Sequence, residues 1–142
     1  MNNLILGRKG EALAENYLKK KGYKFICRNY CMKGGEIDLI FALPIKVQIK
    51  ELDEDISQGK IKRQLRENII KNMQNILVFV EVKTRSNDKF GKPYEAVGYF
   101  KEKHLRTAAN KFMQENDLQN ASIRYDCVSV DGDKIEHIKD MF

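Results

Sequence analysis

Three residues of this 142-residue chain have the types and spacing for metal-assisted phosphodiester chemistry: Asp38, and the pair Glu81 and Lys83. Carboxylates gathered at one point take hard divalent ions such as Mg²⁺, which keep several of their waters. Such an ion polarises a phosphate and lowers the pKa of a bound water. A lysine beside it could orient that water or stabilise the charge developing on the phosphate. Taken singly, an ExK on a strand is usually a solvated ion pair worth ~0–1 kcal/mol. The joint pattern carries the case.

Side chains alternate faces along a strand. In Glu36–Ala42 one face reads Glu36, Asp38, Ile40, Ala42, starting acidic and turning apolar; in Leu77–Lys83 one face reads Leu77, Phe79, Glu81, Lys83, the reverse order. Antiparallel pairing, common for sequential strands, sets Ala42 near Leu77, Ile40 near Phe79 and Asp38 near Glu81. The other faces, Ile37, Leu39, Phe41 and Val78, Val80, Val82, are uniformly apolar. A sheet of this kind is covered on both sides, and the carboxylates lie at the edge of a buried region, where they need a partner or a metal. Two helices add one charge each. Glu11 shares a stripe with Ala14 and Leu18, and Lys101 shares one with Leu105, Ala108 and Phe112. Read alone, Glu11 is equally a first-turn residue favoured by the helix dipole, and Lys101 a snorkelling lysine.

The elements that must position these residues follow from periodicity and punctuation. A helix over 7–21 is stopped by Gly22. Strands are expected at 23–30, 36–43 and 75–85, a helix at 99–115, and strands at 124–130 and 134–139 about an Asp131-Gly132 turn. Ile45, Val47 and Ile49 alternate with polar residues, which predicts a strand extension. A basic helix is expected over about 60–73, with Ile61, Leu65, Ile69 and Met73 on one face. Residues 44–76 read as an excursion from the hairpin tip, too short to fold alone. It leaves about five residues, or ~16 Å, between itself and Asp38.

Composition sets the bounds. The length suits one domain, 1–142. No segment is apolar enough to span a membrane and no signal-peptide core is present, so a cytoplasmic protein without a membrane partner is expected. Three cysteines and two histidines are poor material for a structural zinc. A net charge of +6 favours polyanionic partners.

The blocks GRKGEALAENYLKKKGY (7–23), RNY (28–30), GGEIDLIF (34–41), VFVEVKTRS (78–86), FGKPYEAV (90–97), KEKHLRTAANKF (101–112) and RYDCVSV (124–130) resemble the YraN-type (UPF0102-like) family of small bacterial proteins. That family is placed in the restriction-endonuclease-like PD-(D/E)xK superfamily, close to archaeal Holliday-junction resolvases. The resemblance implies an α/β fold: a central mixed sheet in α-β-β-β-α-β order, flanked by helices. It implies that Asp38, Glu81 and Glu11 hold Mg²⁺ or Mn²⁺, and that Asp38, Glu81 and Lys83 cleave nucleic acid to leave a 5′ phosphate. DNA is favoured over RNA as the partner, branched or structured DNA being an option, and a homodimer is open because resolvase-like enzymes cutting two strands are usually dimers. The family usually joins the two site strands by a short turn, whereas here 42 residues separate Asp38 from Glu81. Arg8, Arg85, Lys101 and Arg106 are the candidate phosphate contacts, which would position nucleic acid without reading its sequence. Two rival functions stand beside a nuclease. One is a non-catalytic nucleic-acid-binding module of the same fold; the other is a protein-interaction adaptor using residues 44–76.

Overall fold

The computed structural model describes residues 3–85 and 99–142; the FGKPYEAV block at 90–97 lies outside them. The chain opens with helix α1 (Asn3–Lys20). Gly22 ends it at φ +96°, with Gly22 N–H donating to Lys19 O and Tyr23 N–H to Leu18 O. That double closure needs a left-handed residue, which glycine supplies without a Cβ penalty. Strands β1 (Lys24–Met32) and β2 (Gly35–Leu43) form an antiparallel hairpin. After the excursion come β3 (Ile76–Arg85), a second long helix (Tyr99–Glu115), β4 (Ser122–Asp131) and β5 (Lys134–Ile138).

The five strands lie in the order β1-β2-β3-β4-β5, antiparallel except for the parallel pair β3–β4, which the second long helix bridges. Counting the excursion's two helices, four flank the sheet among the described residues. This is the mixed α/β arrangement of a restriction-endonuclease-like core. Alternation sorts each strand's residues between two apolar clusters. On one face Ala14 and Leu18 of α1 pack on Leu39, Phe41, Val78, Val80 and Val128. On the other, Leu105, Ala108, Ala109 and Phe112 pack on Ile40, Phe79 and Tyr125. At ~25 cal/mol per Å² of apolar surface removed from water, these two layers supply most of the driving force for folding.

Ile40 pairs with Phe79 and Ala42 with Leu77, as the reversed face patterns require. One expectation fails nearby. Ile37 does not share the face of Leu39 and Phe41 but packs in the opposite cluster. The switch occurs across from Asn29, a β1 residue with φ +54°. The register there runs from Arg28↔Leu39 to Tyr30↔Ile37. A left-handed residue inside a strand rotates the ladder and breaks strict alternation.

The excursion also differs from its expected form. Ile45 to Ser57 is a helix, α2, and not a strand extension. Pro44 starts it, and Val47, Leu52 and Ile56 give it a buried stripe; the alternation at 45–49 is a coincidence of a short window. The basic helix expected over 60–73 shrinks to a 3₁₀ turn at Arg63–Leu65 and a six-residue helix α3 (Arg66–Lys71), neither with a buried residue. With no apolar surface removed from water, a longer helix lacks the packing that helices in proteins depend on. Arg66 clamps α3 to α2 through Asp53, at 2.6 and 3.2 Å. Gln48 Nε2 donates to Leu43 O and Gln74 O, closing the base of the excursion. Val47 packs against Gly22, where a Cβ would come within 2.8 Å. The excursion therefore folds over the hairpin tip, away from Asp38. The helix at Tyr99–Glu115 is α4.

Candidate active site

The last registered β2–β3 pair toward the charged end is Leu39↔Val80. Beyond it the strands part into a fork, and Asp38 bridges the gap, its Oδ2 accepting a hydrogen bond from Val82 N–H at 2.8 Å. Glu81, on β3 and 3% exposed, sits at the base of the fork. Its Oε1 faces two ammonium groups, Lys83 Nζ at 3.4 Å and Lys101 Nζ at 3.2 Å. Its Oε2 is buried with no hydrogen-bond partner.

Two glycines let the helices approach. A Cβ on Gly10 would lie 2.0 Å from Thr84 Oγ1, so α1 presses onto the end of β3. A Cβ on Gly35 would lie 2.4 Å from His104 O, so α4 presses onto the start of β2. These contacts carry Glu11 and Lys101 to the fork.

The electrostatics record the crowding. Burial and then the Glu81 carboxylate push Asp38 up to about 7, against the Val82 hydrogen bond. Burial, with Glu36 and Glu81, raises Glu11, while Arg8 one turn earlier opposes the rise. Burial works against the charge on Lys101, but Glu81 outweighs it and holds the ammonium above its usual range.

The donor set suits a hard cation. A buried carboxylate oxygen without a donor is costly, and Glu81 Oε2 together with Asp38 would give an ion such as Mg²⁺ or Mn²⁺ two anionic oxygens, with water in its remaining positions. Among the described residues no three Asp, Glu, His or Cys side chains are already gathered around one point. Glu11 stands at the rim, coupled to the others through its charge.

The expected phosphate contacts divide. Lys101 is drawn into the cluster by Glu81. Arg8 lines a groove that borders the fork. Arg85 ends β3, two residues beyond Lys83. Arg106 is engaged elsewhere, its guanidinium held by Glu102 at 2.9 Å and lying over the Tyr125 and Phe142 rings.

Two groups of residues escaped the sequence reading. Arg28, Asn29, Glu15 and Asn16 line the groove with Arg8 and Glu11; their signals were the RNY block and the 7–23 block, neither of which says that the two meet. A buried network joins Asp126 to Arg124 Nη2 and His137 Nε2, both at 2.7 Å, and Arg124 reaches Tyr23 and through it Glu51 on α2. These residues come from four separate segments, so no local pattern announces them. This network ties the excursion to the sheet.

The family model for Uncharacterised protein family UPF0102 matches residues 10–130. A UPF0102 protein of Clostridioides difficile is 35% identical over 144 aligned residues, covering 100% of both chains. One from Caldicellulosiruptor saccharolyticus is 35% identical over 130 residues, 92% of this chain and 85% of the relative. Another, from Thermodesulfovibrio yellowstonii, is 32% identical over 142 residues, 100% of this chain and 99% of that protein. Among the described residues, no helix is long and apolar enough to cross a membrane.

Proposed function

This chain belongs to the UPF0102 family, and from that premise we propose that it is a metal-dependent nuclease hydrolysing phosphodiester bonds in DNA, including branched or structured DNA. The observation that carries the reading is Glu81 Oε2, a buried carboxylate oxygen beside Asp38 with no partner of its own. Asp38 and Glu81 would hold Mg²⁺ or Mn²⁺, which supplies Lewis acidity toward a phosphate and a more acidic bound water.

The chain's own residues then have distinct tasks. Val82 N–H fixes the Asp38 carboxylate, so one ligand is positioned by backbone. Lys83 and Lys101 offset the charge of Glu81. Lys83 is placed to hydrogen-bond a water or a phosphate oxygen as negative charge grows there. Glu11, raised by burial and then by Glu36 and Glu81, adds negative potential at the rim when ionised and draws cations toward the fork.

Incubation of duplex, single-stranded and four-way DNA with Mg²⁺ or Mn²⁺ tests the reading. Cleavage is expected with the parent and is lost in Asp38→Ala and Glu81→Ala. Lys83→Gln loses on the order of a hundredfold in kcat with little change in KM. No cleavage of any substrate, with the alanine variants behaving as the parent, refutes it. The two ion pairs at Glu81 Oε1 favour a second reading, because they compensate that charge without a metal: a non-catalytic nucleic-acid-binding module. Salt-sensitive DNA binding without cleavage would select it.

A further inference from the structure

A groove of about 350 Å³ runs between α1 and β1 and opens onto the fork, since Glu11 and Leu39, the neighbour of Asp38, form part of its wall. Its other polar lining comes from Arg8, Asn16, Arg28 and Asn29, above Glu15. We propose that this groove holds the sugar-phosphate backbone of a nucleic-acid strand on one side of the scissile bond, with Arg8, Arg28 and Asn29 as its phosphate contacts. The inference rests on the nuclease reading and says where its substrate lies.

Arg28 is a fixed cation, not a waving one. Glu15 accepts from its Nε at 2.9 Å and its Nη2 at 3.1 Å, and its guanidinium lies 4.8 Å from the centre of the Phe25 ring. Glu15 also takes Lys19 Nζ at 2.6 Å. One carboxylate thus serves two cations, and the group keeps a net positive charge. Hydrogen bonding from Arg28 holds Glu15 below its usual range against the effect of burial, so that carboxylate stays ionised as the brace. A guanidinium held by one edge offers its remaining N–H groups to a phosphate in a set direction.

Asn29 supplies the second, independent observation. Consecutive residues of a strand point to opposite faces, yet Arg28 and Asn29 both line the groove and both are exposed. The left-handed backbone of Asn29, φ +54°, makes this so. Asparagine adopts that conformation more readily than most residues other than glycine, because its short amide can hydrogen-bond locally. Among the described residues nothing hydrogen-bonds the Asn29 amide in return. The turn thus leaves an unpartnered amide facing the groove.

The occupant follows from the lining. Two guanidinium groups and the side-chain amides of Asn16 and Asn29 offer donors to an anion, in a groove that Glu11 joins to the carboxylate cluster. A phosphodiester chain presents a succession of anionic acceptors, and such contacts position a strand without reading its sequence.

Fluorescence anisotropy with labelled single-stranded and duplex oligonucleotides, in EDTA so that no cleavage intervenes, tests the groove. Arg8→Gln and Arg28→Gln each weaken binding and lower the slope of log K against log salt by about one. Asn29→Gly weakens binding about tenfold, as loss of one hydrogen bond to a charged group should, and leaves the salt slope unchanged. Because glycine suits φ +54°, that variant melts no lower than the parent, so its binding loss is not a loss of fold. If the parent binds oligonucleotide and all three variants bind alike, the groove assignment is overturned and the nuclease reading stands. If an unlabelled acidic peptide displaces the oligonucleotide as well as unlabelled DNA does, the groove is a general anion site and the assignment falls. A parent that binds no oligonucleotide at all refutes both.

Discussion

Asp38→Asn should make the protein more stable at alkaline pH while disabling its site. Asp38 is pushed up to about 7 in the fold, whereas an unfolded aspartate titrates near ~3.9. Between those values the folded chain holds a proton that the unfolded chain has lost. Stability therefore falls as pH rises through this window, by ~1.36 kcal/mol per pH unit, and levels off above about 7. The accumulated penalty at pH 8 has a ceiling of about 4 kcal/mol. Asparagine removes the charge and keeps an oxygen to accept Val82 N–H, and its amide can donate toward Glu81. Some attraction for Lys101 is lost, so a net gain of ~2–3 kcal/mol is expected. At ~3 °C per kcal/mol for a chain of this size, Tm rises by roughly 6–9 °C at pH 8 in EDTA. At pH 4 the parent carboxyl is protonated in the fold and the gain nearly vanishes. Saturating Mg²⁺ at pH 8 should raise Tm for the parent and leave Asp38→Asn unmoved. Thermal melts of both proteins at pH 4 and 8, with EDTA and with Mg²⁺, read all of this. A variant that is less stable than the parent at pH 8, or a difference independent of pH, refutes the account of the fork as a cluster of crowded carboxylates.

Gly10→Ala should cost about 1–3 kcal/mol by overpacking, because the new methyl meets Thr84 Oγ1 at 2.0 Å. Adding Thr84→Ala should recover at least half, read as urea midpoints at constant slope; an equal loss in both backgrounds would remove the contact from the argument. Asp126 has the opposite pH sign to Asp38. Burial alone would raise it, but hydrogen bonds from His137 and Arg124 hold it below its usual value. Its contribution is therefore present above about pH 4 and lost as pH falls through its lowered folded value. Asp126→Ala strands the part-buried Arg124 and should cost ~3–5 kcal/mol at pH 7, with the gap to the parent narrowing in acid. A guanidinium titration placing the variant within ~1 kcal/mol of the parent at neutral pH would refute the network's role.

The hairpin was legible because both of its strands carry two signals at once, alternation and a reversal from charged to apolar, and only one register satisfies both. The two long helices were legible from their apolar stripes, and the first also from its stop at Gly22. Residues 44–76 were misread where those conditions lapse. Ile45 to Ile49 fit a period of two over five residues, a window too short to separate strand from helix, and the deciding contacts, Val47 with Gly22 and Glu51 with Tyr23, are tertiary. The face switch at Ile37 was out of reach because its cause lies in the partner strand, at Asn29. Asp126, Arg124 and His137 each look like an ordinary strand residue until β4 and β5 are paired.

At the fork, the division of labour among four oxygens argues that binding, more than stability, accounts for these residues. Glu81 gives Oε1 to two lysines and leaves Oε2 buried and unpartnered. Asp38 gives Oδ2 to Val82 N–H, and among the described residues no hydrogen bond reaches its Oδ1. Each carboxylate thus spends one oxygen on the fold and keeps one in reserve. If folding alone were served, neutral amides would do better, since glutamine and asparagine keep an acceptor for the lysines and the backbone without the repulsion that pushes Asp38 up to about 7. Carboxylates persist there against a stability cost that the Asp38→Asn melts measure directly. On the proposed metal-dependent reading, a divalent cation held by Asp38 and Glu81 would offset that cost, since its charge would relieve the repulsion between the two carboxylates.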